Sequence, residues 1–254
     1  LHSDAEIFHI HGIALPTFIS LIIAKLRRKK IIYTAHGLIS CEKKLGYNYS
    51  PISSFYEFCL LRFSDMVTTV SDRMMKMITE DYNIDRQKIV IIENGVDSSF
   101  FNDNVEINDG WLPQLRKGSR FLILFIGGTR KVKGLDFLLM SIDNLVNRSK
   151  KVILVIVGKE GDQHEILLSK YRKLVMRGYV KFLGTIPEKE LLSLYKSADI
   201  FILPSMYEPF GLVVLEAMAK GKAVIVSDRV GASSIITVSY THLRAHETSL
   251  HLVC

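Results

Sequence analysis

Cysteine is scarce. The chain holds three, Cys41, Cys59 and Cys254, an odd number without the spacing of metal ligands. A disulfide framework is therefore not expected, and a reducing cytoplasm is. Long apolar runs are also missing. The longest near the start, Ile13 to Ala24, has 12 residues and contains Pro16, whereas a spanning helix needs roughly 20. No targeting signal precedes the first strand-like run, because the chain opens at Leu1 on what reads as mid-domain sequence. Nor does any stretch interleave aromatic and basic residues as a nucleic-acid binder does, so nucleic acid is not expected as a partner. What the chain does have is positive charge. Lys and Arg number 33 against 26 Asp and Glu, for a net charge of +7 and a pI near 9.2. That balance suits an anionic partner, and charge alone does not choose among nucleotide, nucleic acid and lipid headgroup. A hydrophobic fraction of 48% over 254 residues is ample for a packed core.

Strand-like and helix-like segments alternate almost throughout. The apolar runs at 6–12, 30–37, 66–71, 88–95, 121–128, 151–158, 180–184, 199–205 and 223–228 are short, rich in β-branched residues and mostly unalternated. Most end on Gly, Ser or Asp. Such runs suit strands buried on both faces of a parallel sheet. Amphipathic helices are expected between them, for instance over 134–148 and 187–198. The fold class is α/β, doubly wound. A polar stretch at 98–119 lacks any period and is read as the crossing between two domains. The expected domains are 1–105, 106–236 and a tail, 237–254, whose pattern matches nothing before it and which is read as foreign or disordered. His242 and His246 in that tail stand at i, i+4 without a third ligand nearby.

The chemistry concentrates in EPFGLVVLEAMAKG, residues 208–221. The run DIFILPS before it reads as a strand, and GLVVLEAMAK reads as a helix beginning at Phe210 or Gly211 and closed by Gly221. In open α/β sheets ligands sit at the carboxyl ends of strands. A helix start there offers unpaired amides and a partial positive charge to an anion, with Gly211 expected to let a phosphate approach. Glu216 stands about 7.5 Å farther along the axis and suits the hydroxyls of a ribose. Glu208, ahead of the helix, would meet whatever lies beyond the phosphates. Polyol, diphosphate and polyol in sequence describe a nucleotide sugar. A second loop, Gly127 to Gly134, places Arg130, Lys131 and Lys133 between glycines after a buried strand, which suits a diphosphate whose charge grows as it departs. A solvated basic turn is the alternative reading of that loop.

These stretches occur together and in order, and they resemble glycosyltransferase family 4, the retaining GT-B enzymes. EPFGLVVLEAMAKGKAVIVSD resembles the family's E-x7-E donor signature, and IENGVDSSFF (92–101) its interdomain segment. FIGGTRKVKGLDFLL (125–139) resembles its phosphate loop, and FLGTIPEKELLSLYKSADIFILPS (182–205) its approach to the donor site. HIHG (9–12), YTAHG (33–37) and VTTVSD (67–72) fit its first domain. The resemblance covers about residues 4 to 236 and implies two Rossmann-like domains facing a cleft, both incomplete in this fragment. It implies transfer of a sugar, with retention, from a nucleotide-diphosphate donor to a glycan or lipid-linked acceptor. It also implies catalytic roles for His36 and Glu208, and donor binding by Gly127, Gly128, Arg130, Lys133, Phe210, Gly211, Leu212 and Glu216. Gly128 stands where many members carry an arginine, and Arg130 is the expected replacement. His9 and His11 are read as structural. No Asp-x-Asp-like motif accompanies a donor-site strand, so neither metal nor other cofactor is expected. Other readings of the same architecture are a sugar-nucleotide epimerase and a non-catalytic nucleotide-sugar-binding fragment. The fragment itself is expected to be inactive. KLRRKK (25–30), after the apolar run from Phe18, offers residues 18–30 to an anionic membrane surface, against the alternative of a solvated helix end. A cytoplasmic, peripheral-membrane location follows as the expectation.

Overall fold

The computed structural model describes residues 5–101, 112–116, 120–237 and 252–253. The chain divides into two compact units, Leu1–Asn94 and Gly95–Cys254. The expected boundary between residues 105 and 106 lies outside the described residues. So does most of the tail at 237–254, including its three histidines.

Unit 1 is built on four parallel strands in the order β1-β2-β3-β4: Ile7–His11, Lys30–Ala35, Met66–Thr69 and Ile89–Ile91. The helices between them are α1 (Leu15–Leu26), α2 (Ile39–Lys44), α3 (Pro51–Phe63) and α4 (Asp72–Tyr82). Their starts follow local chemistry. Pro16 lies in the first turn of α1, where its missing N–H goes unneeded. The Ser50 and Ser71 hydroxyls accept from the amides of Ser53 and Met74 to cap α3 and α4. Inside, the Glu57 carboxylate accepts from the Ile39 amide at 2.8 Å and from the Tyr82 hydroxyl. Burial pushes its pKa up, only partly opposed by those bonds.

Unit 2 holds a six-stranded sheet in the order β10-β9-β8-β5-β6-β7. The strands are β5 (Phe121–Ile126), β6 (Val152–Val157), β7 (Val180–Gly184), β8 (Ile200–Leu203), β9 (Ala223–Ser227) and β10 (Leu252–Val253). All pairs are parallel except β10 with β9. The helices are α5 (Leu112–Leu115), α6 (Leu135–Asn147), α7 (His164–Lys170), α8 (Arg172–Met176), α9 (Glu188–Ser197), α10 (Leu212–Ala219) and α11 (Ser233–Thr237). Every residue of β6 and all but the first of β5 are buried, as expected of central strands covered on both faces. Each of the nine strand-like runs in the sequence contains one of the strands β1–β9. No helix among the described residues is long and apolar enough to cross a membrane.

Candidate functional site

The chain runs from β5 outward to β6 and β7, then returns to the other side of β5 as β8 and β9. The carboxyl ends of β5 and β8 therefore flank a topological switch point, where the two connecting loops must diverge to opposite sides and leave a crevice. Both loops singled out in the sequence sit there. They lie against each other: the Met206 amide donates to the Val132 carbonyl at 2.7 Å. A Cβ at Gly134, which has φ +67, would fall 2.0 Å from the Pro204 carbonyl oxygen.

This packing brings two expected site residues into contact across 75 positions of sequence. The Lys133 ammonium donates to Glu208 Oε2 at 2.5 Å, with the side chains 21% and 14% exposed. The Glu208 backbone is fixed as well. Its amide donates to the Arg229 carbonyl at 3.2 Å, and its carbonyl accepts from the Gly231 amide at 2.9 Å. An ammonium has three donors and a carboxylate two oxygens, so each partner keeps capacity for a ligand. Arg130 caps the one-turn helix Lys131–Lys133 and lines a cavity of about 170 Å³ with Gly134, Asp136, Gln163 and Met206.

The helix of the signature begins one or two residues later than the sequence suggested. Gly211 is the N-cap of α10, with φ +95, and Leu212 is the first helical residue. The reason for glycine here also differs. A Cβ at 211 would lie 2.9 Å from Val230 Cγ1 and 3.3 Å from Glu208 Cγ, so the missing side chain would have pointed at protein. Gly128 is similar, since its Cβ would stand 2.2 Å from the Lys159 carbonyl oxygen. At Gly127 the nearest atom is Lys133 Cδ, at 3.3 Å. At 128 and 211 a positive φ and the protein's own packing therefore call for glycine, whereas at 127 the neighbour is the flexible end of the Lys133 side chain. The anion-binding capacity of the helix start nevertheless stands. The amides of Gly211, Leu212 and Val213 have no acceptor among the described residues, while that of Val214 donates back to Gly211. The Phe210 side chain is buried and its carbonyl accepts from the Ala232 amide at 2.7 Å.

Glu216 is half-buried on α10, and sequence reasoning missed its partner. The Tyr195 hydroxyl, on α9 and fully buried, donates to Glu216 Oε2 at 2.6 Å and reaches the Val213 carbonyl at 3.2 Å. Burial, then the neighbouring carboxylate, push the Tyr195 pKa far up, so it remains a donor. Tyr195 ends an amphipathic face in KELLSLYKS, which at sequence level reads as ordinary core.

In unit 1, His36 stands exposed just beyond β2 and borders a cavity of about 320 Å³ lined by Tyr33, Leu38, Glu42 and Tyr49, among others. Parallel pairing of β1 with β2 sets His11 beside it, ring nitrogens 3.0 Å apart. His11 was expected to be structural; it is exposed and joined to the one histidine given a role. His9 continues the chain, its ring nitrogen 2.7 Å from the Thr34 hydroxyl, which in turn is 2.6 Å from that of Thr68. Among the described residues no group of three or more His, Cys, Asp or Glu side chains is placed to hold a metal ion.

Comparison with known proteins places this geometry. The family model described as glycosyl transferases group 1 matches residues 111–248, and that of glycosyltransferase family 4 matches residues 1–100. An uncharacterized glycosyltransferase of Methanocaldococcus jannaschii is 33% identical over 207 residues, covering 79% of this chain and 50% of that protein. The phosphatidyl-myo-inositol mannosyltransferase of Mycolicibacterium smegmatis is 30% identical over 227 residues, covering 89% of this chain and 54% of its own. The chain thus spans about half the length of these relatives. Among solved structures, Anabaena HepE in complex with UDP and glucose superposes with a TM-score of 0.72 at 21% identity, covering 93% of this chain and 63% of that one. The catalytic domain of Arabidopsis thaliana starch synthase IV, bound to ADP and acarbose, gives 0.68 at 19% identity, with 96% and 60% covered. Those likenesses are of fold, and the fold is GT-B. With a family model matching more than half its residues, the chain belongs to the glycosyl transferases group 1.

Proposed function

We propose that this chain carries the donor machinery of a retaining glycosyltransferase, which moves a sugar from a nucleotide-diphosphate donor to a glycan or lipid-linked acceptor. One observation carries the reading: Lys133 and Glu208 meet at the switch point beside the unfilled amides that begin α10. In this reading the diphosphate takes the amides of Gly211, Leu212 and Val213, with the cations of Lys133 and Arg130 facing it across the crevice. Gly127 and Gly128 shape that loop. Glu216, held by Tyr195, accepts the ribose hydroxyls. Glu208 uses its remaining oxygen for a hydroxyl of the sugar and its occupied one to aim Lys133. The bond from the anomeric carbon to the diphosphate oxygen breaks as negative charge builds on the diphosphate, where fixed donors count most. The acceptor oxygen bonds to the same face of that carbon, and its proton passes to the departing diphosphate. His36 is assigned to the sugar and acceptor side. The names of the relatives support sugar transfer as the class of reaction, and the structures that hold UDP or ADP support a nucleotide donor. No metal is assigned, because the cations of Lys133 and Arg130 would take its role at the diphosphate in this reading, and the protein is assigned to the cytoplasm.

Calorimetric titration of the chain with nucleosides, nucleoside diphosphates and their sugar conjugates tests the reading. It expects diphosphates to bind far more tightly than nucleosides. Glu208→Ala should abolish the added affinity of the sugar conjugate over the plain diphosphate. Equal binding of nucleoside and diphosphate would refute it.

A further inference from the structure

Unit 1 has one outer face that its own core does not explain. In α1, Leu15, Ile19, Ile22 and Leu26 recur at i, i+4, i+7 and i+11, and all are exposed, Leu26 by 80%. They form a single row along the helix, on the side away from buried Leu21 and Ala24. Such a row is turned outward, not toward a neighbouring helix of the same layer. Phe18 stacks on Tyr56 with centroids 4.6 Å apart and meets Phe55 at 5.8 Å, which sets α3 alongside. On α3, Ile52, Phe55, Phe58 and Phe63 are exposed, while Glu57, Cys59, Leu60 and Leu61 are buried. The apolar face therefore spans two helices.

Charge borders it at one end. Arg27, Arg28 and Lys30 are exposed directly after α1, and Arg62 is exposed in the last turn of α3. Lys88 caps α3 by donating to the Leu61 and Arg62 carbonyls at 2.8 and 2.7 Å. Its pKa is lowered by burial first and then by the charges of Arg62 and Lys25, which marks the two helix ends as one cationic cluster. The acid there is Asp65, occupied by the Ile31 amide at 2.9 Å and by Lys25 at 3.4 Å.

We propose that the outer face of α1 and α3 docks unit 1 on an anionic lipid surface, with the apolar rows at the acyl boundary and the cations at the phosphates. The inference stands independently of the donor site. Charge complementarity decides the occupant. The same face of a second copy would bring the cations no acid, since α1 has none and Glu57 of α3 is buried, whereas an anionic bilayer satisfies rows and cations together. A 12-residue helix, about 18 Å long, can lie in that interface but cannot cross it.

Co-sedimentation of the whole chain with vesicles of phosphatidylcholine, alone or mixed with phosphatidylglycerol, tests the proposal. Binding is expected to the mixed vesicles, with release at high salt. Arg28→Glu/Arg62→Glu should lower partition at least about tenfold, since each near-surface cation contributes roughly fivefold. Leu26→Ser/Ile52→Ser, at the most exposed apolar positions, should lower it several-fold while leaving the salt dependence in place. Circular dichroism checks that both variants fold. A folded chain that stays in the supernatant with both vesicle types would overturn the proposal, and so would variants that bind like the parent. Self-association lost in Leu26→Ser/Ile52→Ser, without vesicle binding, would reassign the face to contact between copies.

Discussion

Replacing Tyr195 with phenylalanine removes one oxygen from a fully buried ring and leaves its packing unchanged. The hydroxyl donates to Glu216 Oε2 at 2.6 Å. A hydrogen bond to a charged acceptor is worth about 1.5–3 kcal/mol. Glu216 is half-buried, so water can replace part of the loss, and the lower end, about 1.5 kcal/mol, applies. In a unit of this size that corresponds to a fall in melting temperature of about 3–6 °C, read by differential scanning calorimetry. The freed carboxylate also loses its aim, so nucleoside diphosphate affinity should drop about five- to tenfold. Because Tyr195 acts through Glu216, the double variant Tyr195→Phe/Glu216→Gln should lose no more affinity than Glu216→Gln alone. Additive losses would refute the coupling, as would a single variant with unchanged melting and unchanged affinity.

Lys133→Met should lower diphosphate affinity at least about tenfold, by removing a charge-assisted contact, and leave nucleoside affinity unchanged in the same titration. Gly211→Ala must hold φ +95 and place its Cβ 2.9 Å from Val230; chemical denaturation should show a loss of about 2–3 kcal/mol. Gly12→Ala faces only the positive φ of +79, with nothing within 4 Å, and should lose about 1 kcal/mol. Glu57 supplies the pH test. Its pKa is raised in the folded chain, so the fold takes up its proton before the unfolded chain does. Its contribution is therefore fully present at low pH and lost as pH rises through the folded value. The denaturation midpoint of the parent relative to Glu57→Gln should accordingly rise as pH falls from neutrality toward the ordinary carboxylate range. A flat difference would contradict the shift.

The fold was largely legible because buried parallel strands carry their own signature. FLILFI and VILVIV cannot alternate when both faces are covered, and glycines mark where such runs end. Tertiary partners were not legible. Lys133 meets Glu208 because β5 and β8 are neighbours in the sheet, and Tyr195 meets Glu216 because α9 packs beside α10. No spacing along the chain encodes either contact. His11 looked structural for the same reason, since only the pairing of β1 with β2 sets it beside His36. For Gly211 the structure adds a cause that the sequence reading did not contain. A positive φ and a near carbonyl or side chain explain Gly128 and Gly211, and sequence alone cannot say which way an absent Cβ would have pointed.

The central claim is that Glu216 holds the ribose of a ligand whose diphosphate lies at the start of α10. It is tested most directly by a cycle of titrations pairing the parent and Glu216→Ala with a ribonucleoside diphosphate and its 2′,3′-dideoxy analogue. The account predicts that the parent prefers the ribose form by about tenfold or more and that Glu216→Ala erases the preference, leaving affinity for the analogue unchanged. A preference that survives the substitution, or an equal loss for both ligands, would contradict it.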